Sequence, residues 1–164
     1  MCFHMLPIFL GNSQQFEYMQ NLNIFFDNYA TALERYDTKS LAFMYHIPCT
    51  MISDEATSVF NDAGKLEGFF NQAAAFYKQF GIAHVRHEIW TRRELTAKIV
   101  NVRVNWQFYD ALNAAIYNCD YNYTMKKDKN GNWKIILSVS MNEKQRMEAW
   151  QQKVKSEQAN RFTK

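Results

Sequence analysis

The chain is poor in the residues that loosen a fold or cross-link one. Only two prolines and five glycines occur among 164 residues, too few for a long flexible linker or a low-complexity segment. The three cysteines, Cys2, Cys49 and Cys119, are scattered. They form no CxxC pair and no disulfide framework, so reduced thiols in a cytoplasmic protein are expected. No apolar run approaches the ~20 residues of a membrane-spanning helix. The stretch 5–10 is apolar but short. It lacks a basic segment before it and a small-residue cleavage site after it, so it reads as part of an N-terminal arm over 1–12 and not as a secretion signal.

Blocks of like charge are missing as well. Nineteen basic residues stand against 16 acidic ones, a formal net charge of +3, and no basic run rises above its acidic neighbours. Neither a nucleic-acid partner nor a membrane partner is expected. Glycine-rich phosphate loops, Ser-His-Asp arrangements and paired carboxylates at fixed spacing are absent from the sequence. His84 and His87 spell H-x-x-H, but a three-residue step on a strand sends them to opposite faces, and no acidic or cysteine partner stands at ligand spacing. The expected metal set is therefore none, and no cofactor is called for.

What the chain has in abundance is aromatic surface: 13 Phe, nine Tyr and four Trp, within a composition that is 48% hydrophobic. That is enough for one domain with one sizeable core, with rings left over for a pocket or an interface.

The periodicity changes along the chain. A helix is predicted over 13–36, because Leu22, Phe25, Phe26, Tyr29, Leu33 and Tyr36 recur at three- and four-residue spacing. Asp37 caps a short helix over 38–45 that Pro48 stops. A strand follows over 49–54. A third helix over 65–80 carries Leu66, Phe69, Phe70, Ala73, Phe76, Tyr77 and Phe80, with Gly81 as its stop.

Alternation then takes over. Val85, His87 and Ile89 share one face of a strand over 83–92, against Arg86, Glu88, Trp90 and Arg92. Val100 to Phe108 alternate with Asn101 to Gln107. Tyr117, Cys119, Tyr121 and Tyr123 oppose Asn118, Asp120, Asn122 and Thr124. Asn130-Gly131 marks a hairpin turn, and the last strand puts Trp133, Ile135, Leu137 and Val139 on one face. Asn142 with Gln145 caps a C-terminal helix whose seam is Met147, Trp150 and Val154. The domain is expected over 13–142, with the C-terminal helix and tail over 143–164.

This order makes an α+β fold in which a curved antiparallel sheet wraps the N-terminal helices. A cavity is expected at the open end, lined by Tyr29, Ser53, His87, Trp106, Tyr117, Cys119 and Tyr121. His87, inward between two aliphatics, is a candidate general acid or base, and Cys119 has no activating partner and reads as packing.

The segments Tyr29-Ala-Thr-Ala-Leu33 with Asp37, Leu41-Ala-Phe-Met-Tyr45 leading to Pro48, and Gly131-Asn-Trp-Lys-Ile135 resemble the nuclear transport factor 2-like (NTF2-like) superfamily. That is the cystatin-like cone fold shared by ketosteroid isomerases and SnoaL-like cyclases. The resemblance implies that Tyr29 stands where the isomerases place an oxyanion donor. Their aspartate base falls at Ser53, with Asp54 one residue later, and their second aspartate falls near Asp120. It also implies a homodimer through the convex sheet face, where Trp90, Arg92, Arg103 and Asn105 are the candidate contacts. Two functions stay open. One is a site for a small apolar or aromatic ligand, with cofactor-free proton transfer by Tyr29, His87 and Asp54. The other is a non-catalytic, dimerising interaction domain.

Overall fold

The first helix, α1 (Asn12–Glu34), is built on the predicted stripe, of which Leu22, Phe26, Tyr29 and Leu33 are buried, with Ala30 buried beside them. The computed structural model describes residues 12–162, and side chains over 21–160. The expected arm, save Asn12, lies outside the described residues. The order continues α2 (Thr38–Phe43), β1 (Tyr45–Ile52), β2 (Thr57–Phe60), α3 (Ala63–Gln79), β3 (His84–Thr96), β4 (Ile99–Tyr109), β5 (Ala115–Lys127), β6 (Trp133–Ser140) and α4 (Glu143–Phe162). Among the described residues no helix is long and apolar enough to cross a membrane.

Asp37 caps α2 by accepting from the Ser40 amide, and Asp62 caps α3 by accepting from the Lys65 amide. Gly81 (φ +70°) ends α3, and Gly131 (φ +84°) makes the β5–β6 turn. Both take the left-handed conformation that glycine adopts without a Cβ penalty.

The six strands form one mixed sheet in the order β2-β1-β6-β5-β4-β3. Four pairings are antiparallel, and β1 runs parallel to β6. Two expectations shift here. Pro48 lies inside β1 and does not terminate a helix; α2 has already ended at Phe43. The short strand β2 was not foreseen, since four residues with little burial leave almost no periodic signal.

The core fills the concave face. Val100, Val102, Val104, Trp106 and Phe108 of β4 face the same way as their partners Met125, Tyr123, Tyr121, Cys119 and Tyr117 of β5. Phe26 of α1 drops onto them, its ring 6.0 Å from Trp106 and 5.4 Å from Tyr123.

The register shifts at several points along the sheet, and two of these bulges overturn an expected facing. In β3 the register slips at Trp90, so Arg92 pairs with Val102. Arg92 therefore belongs to the concave face and not to the convex set with Trp90 and Arg103. In β6 the register slips at Ile136. Ser138 and Ser140 then pair with Tyr123 and Tyr121 on the concave face, while Leu137 and Val139 pair with Thr124 and Asn122 on the convex one.

Phe26→Ala should destabilise the protein by about 3–5 kcal/mol, since it empties a site with no solvent exposure. Leu112→Ala, at a side chain 89% exposed, should stay within about 0.5 kcal/mol. Urea unfolding of the two variants measures both.

Candidate functional site

A cavity of about 340 Å³ opens between the concave sheet face, α3 and the first turns of α4. Its apolar wall comes from Leu41, Met51, Phe69, Phe70, Ala73, Phe76 and Trp106, among others. Phe69 and Phe76 belong to the apolar stripe of α3 yet remain 39% and 40% exposed, because the stripe faces this open space.

The polar groups on the wall are mostly hydroxyls. Tyr29 and Tyr45 share a hydrogen bond of 3.0 Å between their hydroxyls. Ser138 and Ser140 stand beside Tyr45 and Tyr121 on the same wall. The indole of Trp106 donates to the Tyr123 hydroxyl at 2.9 Å. Burial raises Tyr29, Tyr45, Tyr121 and Tyr123 above the ordinary phenol range, so all four stay protonated and able to donate.

One carboxylate is buried in this wall. Glu143, the first residue of α4, is 8% exposed. Its Oε1 accepts from the hydroxyls of Tyr77 at 2.7 Å and Tyr117 at 3.0 Å, and its Oε2 accepts from Tyr121. Burial first, and the Glu143 charge second, push all three phenols upward. Sequence reasoning missed Glu143. An acidic residue opening a charged helix reads as a complement to the helix dipole. The available signal was indirect: Tyr77, Tyr117 and Tyr121 all fell on inward faces, and buried phenols require an acceptor.

At the mouth, Lys144 bonds Glu55 at 3.1 Å and Gln145 reaches Asp54 at 3.5 Å. These contacts join α4 to the turn after β1. That turn is held by Ser53, whose Oγ accepts from the amides of Glu55 and Ala56.

The expected site residues are distributed unevenly. Tyr29, Ser53, Asp54, Trp106 and Tyr121 line the cavity. Asp54 does so from the exposed rim. Tyr117 and Cys119 are buried behind the wall, and burial raises the Cys119 thiol well above its ordinary range. His87 is not on the cavity. It lies under α1, its ring 5.9 Å from both Phe26 and Trp106, with Nδ1 3.6 Å from the Asp27 carboxylate. Burial lowers its pKa, partly offset by Asp27. His87 and Tyr29 thus flank the same tryptophan without converging on one space.

The convex face holds a separate polar network. Asp120 accepts from Arg103 at 2.9 Å and from Asn105 at 2.8 Å, and its amide donates to Asn142. As the alternation implied, Asp120 faces away from the cavity. Trp90 is 48% exposed and stacks on Arg103, while Asn105 is buried. Among the described residues no cluster of His, Cys, Asp or Glu is arranged to hold a metal.

Fold and cavity together define a cone-shaped α+β domain with an aromatic pocket. The chain belongs to the NTF2-like protein family DUF6841, whose family model matches residues 20–143. Solved structures with the same fold include a domain of unknown function with a cystatin-like fold from Nostoc punctiforme. It is 15% identical, with a TM-score of 0.65, covering 94% of this chain and all of that one. A ketosteroid isomerase-like protein from Erwinia carotovora atroseptica is 14% identical with a TM-score of 0.58, covering 76% of this chain and 95% of that one. Aln2 from Streptomyces is 15% identical with a TM-score of 0.58, covering 75% and 88%. Comparison with curated proteins finds no match.

Burial pushes the Asp120 carboxyl up, but hydrogen bonds from Asn105, Arg103 and Asn142 outweigh it and leave its pKa below the ordinary value. Its contribution to stability is therefore full above the unfolded value of about 3.9 and is lost as pH falls through the lower folded value. Asp120→Asn should be less stable at pH 7 and should lose less stability between pH 5 and 2. Urea unfolding across that range measures the difference in slope.

Proposed function

We propose that this domain binds a small, largely apolar molecule in the cavity between α3, α4 and the sheet. The observation that carries the reading is the open volume of about 340 Å³ inside a wall of rings, hydroxyls and one buried carboxylate. Pockets of that size, apolar with a few convergent polar groups, are the usual form of a ligand site. The small side chains at Ala73, Ala74, Ser138 and Ser140 on its wall keep the space empty.

Binding is favoured over proton transfer. An acid–base site needs its donor and acceptor within hydrogen-bond reach of one reacting point. Of the three expected catalytic residues, Tyr29 has its hydroxyl engaged with Tyr45, Asp54 stands at the exposed rim, and His87 lies outside the cavity.

The convex sheet face supports a second reading, a homodimer that works alongside ligand binding. The β6 bulge brings Leu137 and Val139, both half-buried, onto the face that carries the exposed Trp90. Asn122 and Arg103 lie between the aliphatics of β6 and the indole of β3, and arginine and tryptophan are residue types enriched in interface cores.

N-Phenyl-1-naphthylamine, a neutral fluorescent probe, should bind one molecule per chain with an emission increase. Ala73→Trp, which fills the cavity, should abolish the signal while leaving the circular dichroism spectrum unchanged. Equal binding by the filled variant would place the probe elsewhere and sink the reading. For the dimer, sedimentation velocity of the Trp90→Ala, Arg103→Glu double variant should report monomers where the parent chain sediments as a dimer.

A further inference from the structure

The electrostatics of the cavity run against those of the chain. The whole sequence carries a formal charge of +3. The charged residues on the cavity wall are Asp54, Glu55 and Glu143 against Lys144 alone, three negative and one positive, or −2. The lysine is already bonded to Glu55, so the remaining negative charges are Asp54 at the mouth and Glu143 inside. A low-dielectric cleft lined by one sign of charge focuses that potential on whatever enters it.

Glu143 is the more telling of the two. Buried charges in proteins are ordinarily paired with an opposite charge. Among the described residues no lysine, arginine or histidine nitrogen stands within ion-pair distance of the Glu143 carboxylate. Its partners are three neutral phenols. They replace water around the carboxylate but supply no counter-charge. A carboxylate has about four acceptor positions, so three donors leave one unfilled. The rings of Tyr121, Tyr29, Trp106, Phe69 and Phe70 share the cavity with it, and aromatic faces attract cations through the ring quadrupole.

We infer that the cavity is selective for a compact organic cation, a protonated amine on an apolar or aromatic body, with Glu143 as the anchor of the ammonium group. The inference rests on the ligand-binding reading and adds to it the charge of the ligand. The ammonium supplies the contact ion pair that no side-chain cation among the described residues provides, and the apolar body fills the space against Phe70 and Trp106. An anionic ligand of the same shape meets the Glu143 charge at close range and is rejected. A neutral one gains the apolar contacts alone.

Three probes of one shape separate these cases: 2-naphthylmethylamine, 2-naphthylmethanol and 2-naphthoate, titrated calorimetrically at pH 7 and low salt. The amine should bind at least about tenfold tighter than the alcohol, equivalent to ~1.4 kcal/mol, and the naphthoate weakest of all. Glu143→Gln should erase the preference for the amine while retaining the alcohol, whose binding also certifies that the variant is folded. Should Gln at this position misfold, Tyr121→Phe provides the second arm. It keeps the carboxylate and should keep the preference for the amine. Equal binding of amine and alcohol by the parent chain overturns the charge selectivity and leaves the pocket reading standing. Failure of all three probes, together with failure of the neutral naphthylamine, overturns both.

Discussion

Strand β6 is the constraint on which the architecture depends. It is the only strand that joins the two parts of the described sheet, pairing parallel to β1 on one side and antiparallel to β5 on the other. Without it, the β1–β2 hairpin would have no attachment to the meander of β3, β4 and β5. The partners are far apart in sequence, with Tyr45 beside Ile135, so this pairing closes a long loop, and its entropic cost is recovered only when the concave face is buried. The bulge at Ile136 shapes the result. Up to Ile135 the inward residues of β6 are apolar and seal the core; beyond it they are Ser138 and Ser140 and line the cavity. One extra residue therefore marks the boundary between packed core and open site.

How much of this was legible in the sequence follows from the same feature. The stripe of α1 and the alternation of β4 and β5 announced themselves because each runs uninterrupted for several periods. Their inward residues, Phe26, Trp106 and Tyr123, were placed correctly. The facings of Arg92, Leu137 and Val139 were not, because a bulge inverts every side chain beyond it and leaves no mark in a hydrophobicity pattern. Leu137 and Val139 looked inward because they are aliphatic. The strand nevertheless gives those positions to the convex face and sends serines into the cavity. Of the expected site, the residues on continuous elements, Tyr29, Trp106 and Tyr121, arrived where the pattern put them. His87 did too, on the concave face, but the concave face is wider than the cavity, and periodicity reports the face without the position along it.

Glu143 shows a different limit. Its local sequence, an acidic residue at the start of a polar helix, has an adequate local explanation in the helix dipole. Its burial is a tertiary fact, created when the Met147 and Trp150 seam docks α4 on the sheet and brings Trp150 onto Phe80 at 5.4 Å. The three phenols that receive it come from α3 and β5. No single segment contains the site, so no window over the sequence reveals it. The C-terminal helix, expected as a separate segment, supplies the only buried carboxylate of the cavity wall among the described residues.

The choice of tyrosine over phenylalanine along that wall is itself an argument about function. A phenylalanine core would fill the same volume without hydroxyls to satisfy, and a phenol left without a partner costs about 1–3 kcal/mol on burial. Here the phenols on and behind the wall have partners: Tyr29 pairs with Tyr45, Tyr36 donates to the Ile82 carbonyl, Tyr123 accepts from Trp106, and Tyr77, Tyr117 and Tyr121 donate to Glu143. For stability alone, replacing the carboxylate and its three phenols with apolar side chains of similar volume would be neutral or better. The network gains its meaning from the space beside it. Satisfied hydroxyls hold their rings rigid, and rigid rings around the Glu143 carboxylate keep the cavity open.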